Sequence, residues 1–118
     1  MRDHRKLRVF DLADELVHIT YRMTAHFPRS EMFGLVAQMR RSAVSVAANI
    51  VEGCARETKK EYLRFLVISF SSVRELGYYI NIAAELGYLT GHEAQSTDEA
   101  HRRTAAALAA LIKSLRNL

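Results

Sequence analysis

Apolar residues recur at steps of three and four along nearly the whole chain, the spacing that lines one face of an α-helix. The first such stripe runs from Val9 to Phe27 and stops before Pro28, because the residue that precedes a proline is pushed out of the helical backbone region. Gly53 and Gly87 mark two further stops. The pattern predicts four helices, at roughly 8–27, 31–53, 59–87 and 91–117.

Short polar segments join the predicted helices and carry capping signals. Ser30 is placed to cap the second helix. Thr58 and Glu61 have the spacing of a capping box, and Thr90 and Glu93 have the same spacing. Joints this short make neighbouring helices antiparallel, which predicts a single domain over residues 1–118, folded as an all-α, up-down-up-down four-helix bundle.

The third predicted helix carries apolar side chains nearly all the way round, from Tyr62 to Ile82. A helix of that kind must be buried on more than one side. In a four-helix domain each helix normally keeps one exposed face, so the surplus predicts a subunit interface. The protein is therefore expected to be its own partner, in a homo-oligomer.

Composition narrows the class of protein further. Only five Gly and one Pro in 118 residues argue against a turn-rich β-sandwich or barrel. A single Cys excludes a disulfide framework and a multi-cysteine zinc site. The longest stretch without a charged residue, Ser42 to Val51, is too short to span a membrane, and no apolar leader follows the charged N-terminus. We expect a cytoplasmic protein with no membrane partner.

A polar stripe follows one side of the second predicted helix. It comprises Gln38, Arg41, Ser42, Ser45, Asn49, Glu52 and Arg56. One interpretation is a solvated face. The other is a packed seam, which the short Ser and Asn side chains favour because they suit a close, hydrogen-bonded helix contact. Arg40 points instead to the apolar side, where it either lays its stem on the core or pairs with a carboxylate from another helix.

These residues form part of a longer motif. It reads Phe27-Pro28-x-x-Glu31-x-x-Gly34-Leu35-x-x-Gln38-x-Arg40-Arg41-x-x-x-Ser45-x-x-x-Asn49-Ile50-x-Glu52-Gly53-x-x-Arg56. With Tyr62 and Leu86-Gly87-Tyr88 further on, the chain resembles the four-helix bundle proteins encoded in intervening sequences of bacterial 23S rRNA. It departs from that pattern at Cys54-Ala55 and at Ser71. The resemblance assigns structural or interface roles to Gln38, Arg40, Arg41, Ser45, Asn49, Glu52 and Gly53.

The resemblance implies a bundle that assembles into a ring-like homopentamer, and it attaches no enzymatic activity, catalytic residue or cofactor to the fold. The family is also similar to the accessory protein of diversity-generating retroelements, a basic pentameric barrel that binds nucleic acid and a reverse transcriptase. By that analogy the expected partners are RNA or single-stranded DNA, and a reverse transcriptase or another locally encoded protein.

Charge gives this expectation a physical basis. The formal net charge is +4, which five copies would raise to about +20. Eight basic residues fall in two clusters, one at the N-terminus and one at the second joint: Arg2, Arg5, Lys6 and Arg8, then Arg56, Lys59, Lys60 and Arg64. Because Lys and Arg neutralise phosphates, contact with nucleic acid is the favoured role of the first cluster. The second cluster is a candidate for the same contact, although Glu52, Glu57 and Glu61 favour a salt-bridge network there.

The chain also offers Tyr78, Tyr79 and Tyr88, aromatic residues of the kind on which unpaired bases stack, although helical spacing assigns most of them to the core or to an interface. No Gly-rich phosphate loop, zinc finger or RNA-recognition signature is present. Binding to nucleic acid is thus expected to be electrostatic and weakly sequence-specific. The alternative is a protein-interaction scaffold or accessory subunit whose charge serves solubility.

An enzymatic alternative is the di-metal carboxylate bundle, which needs Glu-x-x-His motifs that face the bundle axis. Glu15 and His18 have the spacing but point away from the apolar face of their helix, and Asp98 with His101 supplies only half a site. We therefore expect no metal. Cys54 has basic neighbours of the kind that lower a thiol pKa, but an isolated Cys more often serves as a small apolar filler.

Overall fold

Four α-helices account for most of the chain in the computed structural model, which describes residues 2–118. They are α1 (Arg8–Thr24), α2 (Leu35–Cys54), α3 (Lys59–Glu85) and α4 (Gly91–Arg116). Two short 3-10 turns, His4–Lys6 and Arg29–Glu31, precede α1 and α2. No strand occurs among residues 2–118, so the predicted all-α class is confirmed.

Both ends of α3 follow local signals in the sequence. The Thr58 hydroxyl accepts a hydrogen bond from the Glu61 amide at 3.1 Å, as an N-cap residue does. At the other end Gly87 has a φ of 79°, and the Tyr88 amide donates to the carbonyl oxygen of Ala83 at 2.9 Å. This is a common helix stop, in which glycine takes the left-handed conformation without strain.

Two other predicted caps are wrong. Ser30 lies in a 3-10 turn instead of capping α2, which begins only at Leu35. Gly34 departs from helical geometry just before α2, and the Glu31 carboxylate accepts a hydrogen bond from the Leu35 amide at 3.2 Å. Thr90 occupies the N-cap position of α4, yet its side chain makes no capping hydrogen bond.

The first helix stops earlier than its apolar stripe suggests. α1 ends at Thr24, and the Phe27 amide donates to the carbonyl oxygen of Thr24 at 3.1 Å in the turn that follows. Phe27 is nevertheless buried in the core. The apolar stripe therefore extends past the end of α1, because the Phe27 side chain is buried in the core although its backbone is not helical.

The core is filled by large side chains from all four helices. α1 packs against α2 and α4, and α3 packs against the same two helices, in a molecule that measures 45 × 23 × 20 Å. Fully buried examples are Leu16, Met39, Ile50, Leu66, Leu76 and Leu108. Burial of each such side chain contributes about 1.5–3 kcal/mol. Packing between the helices therefore holds this single domain together more than helix propensity does.

Part of the apolar surface of α3 stays exposed. Val67, Ile68 and Tyr78 are 36%, 37% and 63% accessible, and Val44 on α2 is 42% accessible. Within one chain, α3 is thus not buried all the way round, and an apolar surface remains on the outside of the bundle. Even so, no helix within residues 2–118 combines the length and apolar character needed to cross a membrane.

Candidate nucleic-acid interface

The N-terminal segment is tied to the joint between α2 and α3. The backbone amide of Arg2 donates to the carbonyl oxygen of Cys54 at 2.9 Å, and its guanidinium donates to that of Arg56 at 3.3 Å, 54 residues away in the chain. The same guanidinium lies 4.0 Å from the centre of the Tyr62 ring, within the range of a cation–π contact. The two basic clusters of the sequence therefore lie side by side.

Two of the predicted contact residues are paired with acidic neighbours. The Arg5 guanidinium donates to both carboxylate oxygens of Asp3, at 3.0 and 3.1 Å, and these bonds hold the pKa of Asp3 below its usual value. Arg56 donates to Glu52 at 2.8 Å and lies 4.7 Å from the centre of the Phe65 ring. Arg5 and Arg56 consequently present less uncompensated charge to a ligand than their positions suggest.

The other members of the two clusters keep their charges exposed. The side chains of Lys6, Arg8 and Lys60 are exposed and make no ion pair or hydrogen bond with other residues of the described chain. Arg64 lies 5.6 Å from the centre of the Phe65 ring and makes no ion pair or side-chain hydrogen bond within residues 2–118. These four residues are the strongest candidates for phosphate contact.

The C-terminal end of α4 adds two cations that the sequence analysis missed. The ammonium of Lys59 donates to the carbonyl oxygen of Leu118 at 3.5 Å, which brings the end of the chain to the beginning of α3. Lys113 and Arg116 are exposed there, beside a depression of about 320 Å³. In the sequence these two residues show only as a basic last turn of the fourth helix, and this pattern does not indicate which other segments lie beside that turn.

We call this part of the molecule the basic end. It holds ten of the 17 Lys and Arg residues: Arg2, Arg5, Lys6, Arg8, Arg56, Lys59, Lys60, Arg64, Lys113 and Arg116. It holds five of the 13 acidic residues: Asp3, Asp11, Glu52, Glu57 and Glu61. The basic end therefore carries a formal charge of +5, and the rest of the chain carries −1. A segregated charge of this kind attracts polyanions more strongly than an even distribution of +4.

The middle of the polar stripe of α2 packs against α3, in agreement with the packed-seam interpretation, whereas Gln38, Arg41 and Glu52 stay exposed. The hydroxyl oxygens of Ser45 and Ser72 are 2.8 Å apart, and the buried Ser69 hydroxyl donates to the carbonyl oxygen of Val46 at 2.7 Å. The Asn49 amide donates to the carbonyl oxygen of Ser45 at 2.8 Å. The Asn49 bond lies within α2, whereas the Ser45–Ser72 and Ser69–Val46 bonds join the two helices and fix the register of α2 against α3.

At the edge of the seam an ion pair joins the same two helices. Arg41 donates to Glu75 at 2.9 Å and also to the side-chain oxygen of Gln38 at 3.0 Å. The Tyr79 hydroxyl donates to Glu75 at 2.7 Å, and this bond together with Arg41 holds the pKa of the Glu75 carboxyl below its ordinary value. The exposed Gln38 and Arg41 thus take part in helix packing.

Arg40 and Gly53 serve two further contacts of α2, the first with α1 and the second with α3. The Arg40 guanidinium donates to the Thr24 hydroxyl at 3.0 Å and lies 4.6 Å from the centre of the Tyr21 ring, so its partners on α1 are a hydroxyl and an aromatic ring, not the carboxylate that the sequence allowed. Gly53 is buried where α3 approaches, and a methyl group in its place would lie 3.0 Å from the β-carbon of Phe65.

The residues of the metal alternative do not converge. Glu15 and His18 are exposed on α1, and His18 contacts the carbonyl oxygen of Asp14 at 2.8 Å. Within residues 2–118 no three His, Cys, Asp or Glu side chains are grouped so as to hold a metal ion. Cys54 is buried, and burial raises the pKa of its thiol despite nearby Arg2, in keeping with the small apolar filler that the sequence favours.

Comparison with known proteins adds a family and a fold. The family model described as 23S rRNA-intervening sequence protein matches residues 5–110. The chain is similar to a protein with unknown function from the S23 ribosomal protein family of Bacteroides thetaiotaomicron VPI-5482, whose crystal structure was determined at 1.70 Å resolution. The two align with a TM-score of 0.80 at 23% identity, over 89% of this chain and 98% of that chain, a likeness that shows the fold. No curated protein matches.

Proposed function

Because the chain belongs to the family of 23S rRNA-intervening sequence proteins, we propose that it is a non-enzymatic, oligomeric four-helix bundle that binds RNA or single-stranded DNA through its basic end. The observation that carries this proposal is the segregation of charge. The N-terminal segment, the α2–α3 joint and the end of α4 meet through the contacts of Arg2 and Lys59, and together they carry +5.

The chemistry of the basic end suits a phosphate backbone and gives little basis for reading bases. Its exposed cations are Lys and Arg side chains that neutralise phosphates and release condensed counterions. Tyr62 and Phe65 are buried and already lie under arginines, so neither ring is free to stack on a base. The expected affinity is therefore strongly dependent on salt and weakly dependent on sequence.

The proposal includes an up-down-up-down topology and assembly into a ring-like pentamer. Arg2 meets the end of α2, and Lys59 meets the end of the chain beyond α4, as expected when successive helices alternate in direction. Val44, Ile68 and the small exposed residues Ala37 and Ala48 leave an apolar outer surface on α2 and α3 for a neighbouring copy. Repetition around a ring would multiply the charge of the basic end.

A scaffold without a nucleic-acid role is the second candidate function. The observation that favours it is the joint between α1 and α2, where Phe33 is 92% and Met32 is 53% accessible. Exposed large apolar side chains of this kind often mark contacts with other proteins. Under this alternative the basic end serves solubility, and loss of its charge leaves every interaction of the protein unchanged.

Salt-dependent binding to a single-stranded oligonucleotide separates the two. We expect the triple variant Lys6→Gln, Arg8→Gln, Lys60→Gln to bind more weakly. Loss of three phosphate contacts should make the slope of log affinity against log salt shallower by about 2. Filter binding over a range of salt concentrations, with RNA and with single-stranded DNA, measures both quantities.

The matched control removes the same charge elsewhere. Arg22, Arg29 and Arg103 are exposed, lie outside the basic end and make no ion pair with the described residues. The variant with all three changed to Gln should bind nearly as tightly as the unmodified protein and show nearly the same slope of log affinity against log salt. Equal losses in the two variants would show that only net charge matters. No binding by the unmodified protein at low salt would favour the scaffold.

A further inference from the structure

A polar pocket lies between α3 and α4, outside the basic end. It has a volume of about 400 Å³. Arg74, Tyr78 and Asn81 line it from α3, and Asp98, His101 and Arg102 line it from α4. None of these residues belongs to the two basic clusters or to the motif of α2. The pocket combines two cations, an amide and an aromatic ring in a space large enough for a small ligand.

The α3 side of the pocket is lined by exposed side chains that share one face of the helix. Arg74, Tyr78 and Asn81 are spaced by four and three residues, so their side chains share one face of the helix. All three are exposed, and Tyr78 is 63% accessible. Arg74 and Asn81 make no side-chain hydrogen bond or ion pair with other residues of the described chain. Tyr79 and Tyr88, by contrast, donate their hydroxyls to Glu75 and Glu31.

The α4 side of the pocket is formed by an ion pair and a buried histidine ring. Arg102 donates to Asp98 at 2.9 Å, and the Nδ1 atom of His101 lies 3.6 Å from the same carboxylate. Among residues 2–118, the two ring nitrogens of His101 are the only buried side-chain polar atoms without a hydrogen-bond partner. The ring lies against the α3 backbone at Gly77, so these nitrogens are closed off from the space of the pocket, and the exposed Arg102 is the polar group that α4 offers to a ligand there.

We propose that this pocket binds a nucleoside 5′-monophosphate unit, with its base stacked on Tyr78 and its phosphate on Arg74. The two residues are four apart, which separates them by about 6 Å along the helix. Stacking on an aromatic ring accepts any base, and a free guanidinium matches the oxygens of a phosphate. Asn81 offers both a donor and an acceptor to the edge of the base. Arg74 and Arg102 outweigh Asp98, so the pocket is positive.

The inference goes beyond the function proposed for the basic end and does not depend on it. The ligand can be a free nucleotide or one unit of a strand, since both present the same base and phosphate. Equilibrium dialysis with AMP, adenosine and a 5′-phosphorylated oligoadenylate distinguishes these sources. Tighter binding of AMP indicates a free nucleotide, and tighter binding of the oligonucleotide indicates a strand; either result supports the pocket.

Substitutions of the two α3 residues test the pocket directly. We expect Tyr78→Ala to weaken AMP binding at least about fivefold, because stacking is lost, and Tyr78→Phe to bind within about twofold of the unmodified protein, because the ring is kept. Arg74→Gln should weaken the binding of AMP but not that of adenosine, which has no phosphate. Arg29→Gln removes the same charge from the α1–α2 joint and should change neither.

Several outcomes would overturn the inference. The first is that AMP does not bind at millimolar concentration, and the second is that Tyr78→Ala binds AMP as well as the unmodified protein does. The third is that Tyr78→Ala changes the mass of the assembly, which would make Tyr78 a subunit contact. The triple variant Lys6→Gln, Arg8→Gln, Lys60→Gln should bind AMP normally, and a loss there would assign AMP to the basic end. Binding of AMP without binding of long strands would contradict only the function proposed for the basic end.

Discussion

Gly77 and His101 form a complementary pair on two helices. Gly77 lies inside α3, where glycine costs about 0.5–1 kcal/mol relative to alanine. Its φ does not require glycine, but a methyl group in its place would lie 2.6 Å from the Cε1 atom of the His101 ring on α4. The missing side chain therefore lets the ring pack against the α3 backbone. Burial also lowers the pKa of His101, because its charged form is disfavoured there.

This pairing predicts that the effect of Gly77→Ala on stability changes sign when the His101 ring is removed. Gly77→Ala should destabilise the protein by about 1–3 kcal/mol, because the methyl group overpacks the contact. In a His101→Ala background the ring is gone, and Gly77→Ala should be neutral or stabilising by up to about 1 kcal/mol through its better helix propensity. Urea unfolding at one protein concentration measures both steps. An equal cost in the two backgrounds would show that the ring is not the obstacle.

At the scale of single helices, two capping signals with the same sequence spacing differ in whether they form a hydrogen bond. The Thr58 hydroxyl caps α3 through the Glu61 amide, whereas Thr90 has the same sequence spacing and makes no such bond. The difference is geometric, since an N-cap bond needs the side-chain oxygen to lie over the first helical turn. The two threonines are therefore a matched pair within one chain.

Replacement of each threonine by alanine should separate the pair. We expect Thr58→Ala to lower the free energy of unfolding by about 1 kcal/mol, because the Glu61 amide loses its partner. Thr90→Ala should lower it by only a few tenths, close to the value for a neutral surface change. Thermal and urea unfolding of the two variants provide the comparison. Equal losses would mean that Thr90 forms its cap in solution.

At the scale of the whole molecule, the apolar outer surface of α2 and α3 is where the proposed assembly places a neighbouring copy. The Ser45–Ser72 bond sets the register of these helices, Val44 directly precedes Ser45, and Ile68 lies one helical turn before Ser72. Both apolar side chains therefore lie on the outside of the same helix pair. A neighbouring copy that covers them would bury the surplus apolar surface of α3.

Assembly is tested by the mass of the protein in solution. Light scattering should give close to five times the 13.4 kDa chain mass for the unmodified protein. The double variant Val44→Glu, Ile68→Glu should dissociate into smaller species that keep their helical circular dichroism, because two charges enter the apolar surface. Phe33→Glu, at the most exposed large apolar residue, is the control and should leave the mass unchanged. A monomeric unmodified protein would contradict the ring.

The sequence by itself determined the helices and the family. Apolar spacing and the glycine stop at Gly87 are local properties, so with the cap at Thr58 they placed four helices, and the long motif of α2 identified the family that the family model confirms. The stop predicted at Gly53 is wrong, since α2 continues through Gly53 and ends at Cys54. Local signals were less reliable where a side chain had a choice of partner. Ser30 does not cap α2, because the backbone turns at Gly34 before the helix begins. The Glu31 carboxylate accepts the hydrogen bond from the Leu35 amide instead.

Only the tertiary structure decided which residues meet. It joined Arg2 to the α2–α3 joint, brought Lys113 and Arg116 to the basic end, and left Tyr78 exposed among three similar tyrosines. These facts depend on which faces of different helices oppose one another. Helical periodicity defines a face within one segment but does not state which segment covers it. Long-range packing supplies that information, and with it both the basic end and the pocket beside Tyr78.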